Sequence, residues 1–529
     1  MKNGFQLVRS EKNTSIKYDD KECKMNRRYF LKTSAVYIGA LTVTGCKIGE
    51  NNSIQNTSKK RLPNIVFILA DDMGYGDIQA YNPQSKIPSP NLDRLATEGA
   101  LFTDAHSGSA VCTPTRYGLL TGRYCWRTEL KSGVLWPPDD KPLIDKDRLT
   151  IARMLKQLHY YTACIGKWHL GIEWGLDDQG KVDFNRPLKS GPTEVGFDEF
   201  YGIAGSLDMI PYVFYHNHEP TQPVTETQLR LPFPKFIREG PKGEGFDPGQ
   251  VLDQLTEQAV AYIDKHAAES NPFFLYLPLT SPHKPVWPAE RFKDKTGLGP
   301  YGDFVNQTDW SVGQVLQALE KNEIADKTLV VFSSDNGSYM YRWPQDEPDH
   351  VQDSGVQGYH PLNHRANANW RGTKADIWEA GHRVPFIVRW PGHVKSKTRC
   401  DKTICLTDFL ATCAEITGFS MPDNAGEDSF SLLPLMYGQD WATPRAPVIH
   451  HSSNGMYSLR EGKWKMVFGS GSGGREKPIG KPFEKPYFLF DLEDDPSETT
   501  NVIDRYPEIA VRLTENLKTI MQSGRSRLP

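Results

Sequence analysis

The chain has 529 residues, with 62 Lys and Arg against 65 Asp and Glu and a net charge of −3. That balance excludes the strong basic excess of a nucleic-acid binder, and 38% hydrophobic with 24% charged residues excludes a disordered chain. The length suits one large domain with a smaller one, and 44 glycines with 38 prolines announce long loops able to carry a site.

Residues 1–60 read as an export leader and a polar tether. Met25-Asn-Arg-Arg-Tyr-Phe-Leu-Lys32 precedes a short apolar run, Ala35 to Val43, the pattern of a twin-arginine signal. The run is too short to span a bilayer. Val43-Thr-Gly-Cys46 is similar to a bacterial lipobox, so Cys46 is expected to carry a lipid anchor, with Asn51 to Lys60 as its flexible tether; an ordinary cleaved signal is the alternative. Residues 1–24 look unlike a signal n-region, which makes Met25 a candidate start. Either way the mature protein is expected outside the cytoplasm, in the periplasm or anchored at the outer membrane.

The region 61–445 reads as the main domain. Asn64 to Ala70 is a continuous apolar run with β-branched residues, as in a strand buried on both faces, and it ends in Asp71-Asp72. Thr328 to Ser333 repeats the pattern and ends in Ser334-Asp335-Asn336-Gly337. Phe273 to Leu277 and Val384 to Val388 read as further buried strands. Helices are expected over Asn91–Gly99, Arg116–Thr121, Leu149–Leu158, Gly249–Ala268 and Gln307–Asn322. Alternating strands and helices imply an α/β fold, a large mixed and mostly parallel sheet sandwiched by helices, with ligands at the carboxyl ends of strands. After about residue 445 the pattern changes. Tyr457 to Phe468 reads as a hairpin turning at Glu461-Gly462, Tyr487 to Leu492 as a strand, and Tyr506 to Met521 as an amphipathic helix. Residues 446–529 are therefore expected to form a smaller C-terminal antiparallel sheet with one helix.

The eight cysteines show no CxxC pair and no Cys/His zinc spacing. Cys400, Cys405 and Cys413 cluster in sequence, but spacing cannot establish bridge geometry, so a disulfide among them stays open.

The most specific segment is Ala110-Val-Cys-Thr-Pro-Thr-Arg-Tyr-Gly-Leu-Leu-Thr-Gly122. Pro114 suits the first turn of a helix, where its missing amide is not needed, and this sets Cys112 at a helix N-terminus, where negative charge is favoured. The segment resembles the Cys-x-Pro-x-Arg signature of type I sulfatases, members of the alkaline phosphatase superfamily. Tyr160-Tyr-Thr-Ala-Cys-Ile-Gly-Lys-Trp-His-Leu170 resembles the family's second signature and departs from it at His159, where the family usually has Gly. Lys167 and His169 are expected to project from one edge of an extended segment.

The resemblance runs from about Pro63 to about residue 440 and looks closest to arylsulfatase A and N-acetylgalactosamine-6-sulfatase. It implies that Cys112 is oxidised to formylglycine by a cytoplasmic maturase. It implies metal ligation by Asp71, Asp72, Asp335 and Asn336, with position 112 beside them, and Ca²⁺ as the ion, Mg²⁺ being the alternative. It implies that Arg116 holds the formylglycine hydrate, that Lys167 and Lys374 cradle sulfate, that His283 protonates the leaving alcohol and that His169 accepts the hydrate's proton. Gly196 to Ser206 lines up with an arylsulfatase A segment whose serine touches sulfate, which makes Ser206 a substrate residue.

Two long loops fall outside these motifs. One, His216 to Pro248, is rich in Pro and Gly; the other, Ser338 to Asn369, carries Arg342, His350, His360, His364 and Arg365. The second is expected to pass over the pocket mouth, with Arg342 and His350 as substrate contacts. The substrate expected of an exported enzyme of this kind is a sulfated carbohydrate, a glycosaminoglycan or algal polysaccharide fragment. A phosphonate or phosphate ester hydrolase of the same fold, and an inactive carbohydrate-binding protein on it, are the competing readings.

Overall fold

The computed structural model describes residues 62–139, 141–340 and 362–527. The leader with Cys46, and the loop residues Arg342, His350 and His360, lie outside the described residues. Among those described, no helix is long and apolar enough to cross a membrane.

Ten strands form the large sheet: β1 (Asn64–Asp71), β2 (Ala100–Phe102), β3 (Tyr161–Lys167), β4 (Glu199–Ile203), β5 (Tyr215–His216), β6 (Glu219–Pro220), β7 (Phe273–Pro282), β8 (Thr328–Ser334), β9 (Phe386–Arg389) and β10 (Thr398–Cys400). Their order across the sheet is β10-β2-β9-β8-β1-β7-β3-β4-β5-β6. The five central strands, β8 to β4, are parallel, and antiparallel strands extend both sides. The fold is thus the mixed, mostly parallel sheet expected from the sequence.

Strand alternation explains the continuous apolar run of β1. Ile65, Phe67 and Leu69 face one core with α2 (Cys112–Thr121), α3 (Ile151–Gln157) and the helix Phe409–Thr417. Val66, Ile68 and Ala70 face the other with the helices Pro90–Glu98, Val251–His266 and Pro300–Lys321. Both faces are covered, so no residue of the run after Asn64 can be polar without a partner until the strand ends. Two helices start earlier than expected. The long one begins at Pro300, behind Gly299 with φ +77° and with proline in its first turn, while α2 begins at Cys112, the N-terminus that Pro114 implied, ahead of the stretch Arg116–Thr121 read as helical. Tyr160 to Leu170, expected only as extended, contains the central strand β3.

The C-terminal sheet runs in chain order through β11 (Val448–His451), β12 (Tyr457–Glu461), β13 (Trp464–Phe468) and β14 (Phe488–Asp491). Gly462, at φ +56°, makes the expected hairpin turn. Ala510, Leu513, Leu517 and Ile520 of the helix Pro507–Gln522 pack on Leu459, Met466 and Leu489. Val467 and Phe490 meet Ile377 and Trp378, three and four residues after Lys374. Cys400, Cys405 and Cys413 are all free thiols, so none of them forms the bridge left open above.

Candidate active site

The site forms where the parallel strands end. Asp71 is the last residue of β1, and Asp72 follows with φ +67°, a backbone region L-residues seldom enter. The turn is laced to the end of β8: the Asp335 amide donates to the Ala70 carbonyl at 3.1 Å, and the Asp72 amide donates to Asp335 Oδ1 at 3.1 Å. The strand-end pairs Asp71-Asp72 and Asp335-Asn336, 263 residues apart from Asp72 to Asp335, thereby become one buried cluster. Where Asp71 pairs with Pro282 the neighbouring strand β7 also ends, and it delivers His283.

Cys112 is the first residue of α2, with Val111 as an extended N-cap at φ −144° and ψ 159°. Its sulfur lies 3.6 Å from Asp71 Oδ1 and receives a hydrogen bond from Lys374 Nζ at 3.5 Å. Burial first, then the charge of Asp335, pushes the thiol up to about 12 against the pull of Lys167 and Lys374. At neutral pH Cys112 is therefore a neutral thiol and a poor nucleophile as it stands.

Both lysines cross onto the Asp71-Asp72 pair. Lys167 Nζ reaches Asp71 Oδ1 and Oδ2 at 2.9 and 2.7 Å, and Lys374 Nζ reaches Asp72 Oδ2 at 2.8 Å. Burial raises the Asp71 carboxyl well above the usual range despite Lys167. The same burial acts on Asp335, but Arg116, with Lys167 and Lys374, holds that carboxyl below the usual range.

The Arg116 guanidinium forks onto Asp335 Oδ2, with Nε at 3.1 Å and Nη2 at 2.7 Å, and its Nη1 donates to the Lys167 carbonyl at 3.0 Å. In these contacts it braces a carboxylate and a strand end, and its hydrogen bonds do not go to Cys112. From the first turns of α2 the side chain reaches past the helix start to the end of β8.

The two histidines are held by carbonyls. His283 Nδ1 lies 2.5 Å from the Lys284 carbonyl, leaving Nε2 3.5 Å from Asp72 Oδ2. His169 Nε2 lies 2.9 Å from the Leu135 carbonyl, while its Nδ1 is buried with no partner among the described residues. Burial, reinforced by nearby ammonium groups, drives both rings well below the ordinary histidine range. His169 does not continue an extended segment with Lys167; the chain leaves β3 and turns through φ +57°. At the other end, His159 itself adopts φ +65°, so histidine occupies a turn conformation that glycine would enter without strain.

A divalent cation fits this cluster. Asp71, Asp72, Cys112 and His283 each bring a ligand-capable atom within 4.8 Å of the others. Asn336 Nδ2 donates to Asp72 Oδ1 at 2.7 Å, and Asn336 Oδ1 is buried with no donor among the described residues. Three carboxylates and a spare amide oxygen form a hard, oxygen-rich site suited to Ca²⁺ or Mg²⁺.

Other expected residues sit nearby or elsewhere. Ser206 is buried two residues after Ala204, whose carbonyl accepts the His169 amide at 2.9 Å. His364 is not a pocket residue: its Nε2 lies 2.8 Å from buried Asp77 Oδ1, and Asp77 also accepts the Tyr301 hydroxyl at 2.6 Å. The Leu135 carbonyl that orients His169 belongs to no motif, and no spacing in the sequence could have flagged it.

Residues 63–419 match the sulfatase family. The chain is a sulfatase. It is 33% identical over 528 residues to the N-acetylgalactosamine-6-O-sulfatase of Bacteroides thetaiotaomicron, covering 91% of this chain and 97% of that one. It is 30% identical over 488 residues to arylsulfatase A of Bos taurus, covering 87% of each. A solved structure from work on metabolism of multiple glycosaminoglycans by Bacteroides thetaiotaomicron superposes with a TM-score of 0.76 at 31% identity, over 87% of this sulfatase and 99% of that chain.

Proposed function

We propose that this sulfatase removes a sulfate ester from a sulfated carbohydrate, using formylglycine made from Cys112 beside a calcium ion held by Asp71, Asp72, Asp335 and Asn336. The observation that carries this reading is the seat of Cys112, a buried thiol at a helix N-terminus between the Asp71 carboxylate and the Lys374 ammonium. A bound calcium ion would supply Lewis acidity toward the sulfate oxygens. Hydrated formylglycine would supply two hydroxyls, one to attack sulfur and one to let sulfate leave.

The chain's own residues do the rest. Lys167 and Lys374 neutralise charge on the transferring sulfuryl group from fixed positions in a dry site, where such charges act strongly. His283 donates its Nδ1 proton to the Lys284 carbonyl, so Nε2 is the atom that exchanges a proton with the leaving alcohol. His169 has the opposite tautomer, with Nε2–H on the Leu135 carbonyl, and Nδ1 is its proton-accepting atom. Arg116 keeps Asp335 ionised and oriented for the metal.

The named relative acts on N-acetylgalactosamine 6-O-sulfate, which makes that sugar within a glycosaminoglycan fragment the first substrate to try. An algal polysaccharide fragment is the second. The leader residues support export and a lipid anchor at Cys46, and folding before twin-arginine export would require Cys112 to be oxidised in the cytoplasm first. A panel of defined sulfated oligosaccharides and an aryl phosphate tests the reading. Release of sulfate from the 6-O-sulfated sugar, with far slower phosphate release, is expected; faster phosphate release would overturn it.

A further inference from the structure

The loop between the hairpin strands Val224–Gln228 and Gly240–Gly243 returns to the active site. The Arg238 guanidinium lies 4.9 Å from the Trp136 ring and 5.0 Å from the Phe236 ring, and the Lys284 ammonium lies 4.4 Å from Phe236. Aromatic and cationic groups thus alternate as Trp136, Arg238, Phe236, Lys284. The strip joins the two active-site histidines: Trp136 follows Leu135, whose carbonyl meets His169, and Lys284 follows His283. Trp136 is 46% exposed, and Arg238, Phe236 and Lys284 are partly exposed.

Arg238 is aimed from below. Asp208, almost fully buried, takes Nη1 at 2.5 Å through Oδ2 and at 3.0 Å through its backbone carbonyl. Among the described residues, the cations Arg238, Arg475 and Lys374 act against the charge on Lys284 and the carboxylate of Asp208 favours it. Beyond the Asp208 pair, Arg238 and Lys284 rest on aromatic rings.

We propose that Trp136, Arg238, Phe236 and Lys284 form a saccharide subsite for the sugar next to the sulfated one, with Arg238 and Lys284 holding an anionic substituent on it. The inference rests on the reading that the substrate is a sulfated saccharide. Aromatic faces suit the apolar face of a pyranose, and a preset guanidinium fork matches a carboxylate or a sulfate.

The test compares kcat/KM of the formylglycine-bearing full chain on three disaccharides. Each carries the same 6-O-sulfated N-acetylgalactosamine, next to a uronic acid, its methyl ester, or a sugar bearing a second sulfate. The charged neighbours are expected to be preferred over the ester by about tenfold or more, the scale of a charge-assisted hydrogen bond. Which of the two is preferred identifies the anion. Lys284→Met and Arg238→Gln should each shrink that ratio mainly through KM. Because each ratio is taken within one folded variant, an unfolded Arg238→Gln leaves Lys284→Met to decide. Equal use of all three by the wild type, or a ratio unchanged in the folded variants, overturns the subsite while leaving the glycan reading intact. Hydrolysis of aryl sulfate with no saccharide desulfated overturns both.

Discussion

Lys374 Nζ lies 3.5 Å from the Cys112 sulfur and 2.8 Å from Asp72 Oδ2. One ammonium therefore bridges the position proposed for the nucleophile and a carboxylate proposed to hold the metal. The strand-end acids, the helix N-terminus and the segment before Ile377 converge on that point, and each comes from a different part of the chain.

Lys374→Met removes this charge from a buried pair, leaving Asp72 with its Asn336 donor. The expected result is a kcat loss of about 10²–10³-fold, as for loss of one preorganised charge in a site, together with a lowered Tm from the buried carboxylate left without its cation. Steady-state kinetics and a melting curve check it.

Arg116→Met should behave differently. Arg116 and Asp335 are both fully buried, so the substitution strands a carboxylate and should cost about 3–5 kcal/mol of stability. Urea unfolding of the variant measures this; a loss below about 1 kcal/mol would mean that Asp335 finds another partner.

Calcium should raise Tm, because a ligand that binds only the folded chain stabilises it, by about 2.7 kcal/mol at a hundred times Kd. Asn336→Ala removes the spare amide oxygen and should shift the calcium titration to higher concentration. Identical titrations for the variant and wild type would remove Asn336 from the ligand set.

His451 gives a pH prediction away from the chemistry. Burial, only partly offset by the Ser452 backbone, lowers it from 6.5 to about 4. Between those values the unfolded chain binds the proton and the folded chain does not, so stability falls as pH falls, by about 3 kcal/mol across the window. Glu498, raised by burial to about 7, acts with the opposite sign, so the difference between wild type and His451→Gln is the quantity to follow. The variant should lose less stability between pH 6.5 and 4; parallel curves would contradict the assignment.

His283→Ala should slow alkyl sulfates far more than activated aryl sulfates, whose leaving groups need no proton. Equal slowing of both would remove His283 from the leaving-group role.

The sequence disclosed the strand ends and the helix start because local physics dictates them. An apolar run covered on both faces has to end where acids begin, and Pro114 marks the first turn of α2. It could not disclose Arg116's target, since a helix side chain's reach depends on where β8 lies. It could not show that His169 leaves the strand, because φ +57° at that residue is fixed by the Leu135 and Ala204 carbonyls around it. His364 looked like a loop residue poised over the pocket. Its partner Asp77 comes from the turn after Asp72, a contact 287 residues long in sequence. The antiparallel edge strands were short and partly polar, with too little periodicity to read.

The most direct test of the central claim is peptide mass spectrometry across Cys112, on protein made with and without a formylglycine-generating maturase, with sulfatase activity measured in parallel. An aldehyde or its hydrate at position 112, in proportion to activity, is the predicted result. Full activity in protein whose Cys112 remains entirely a thiol would contradict it.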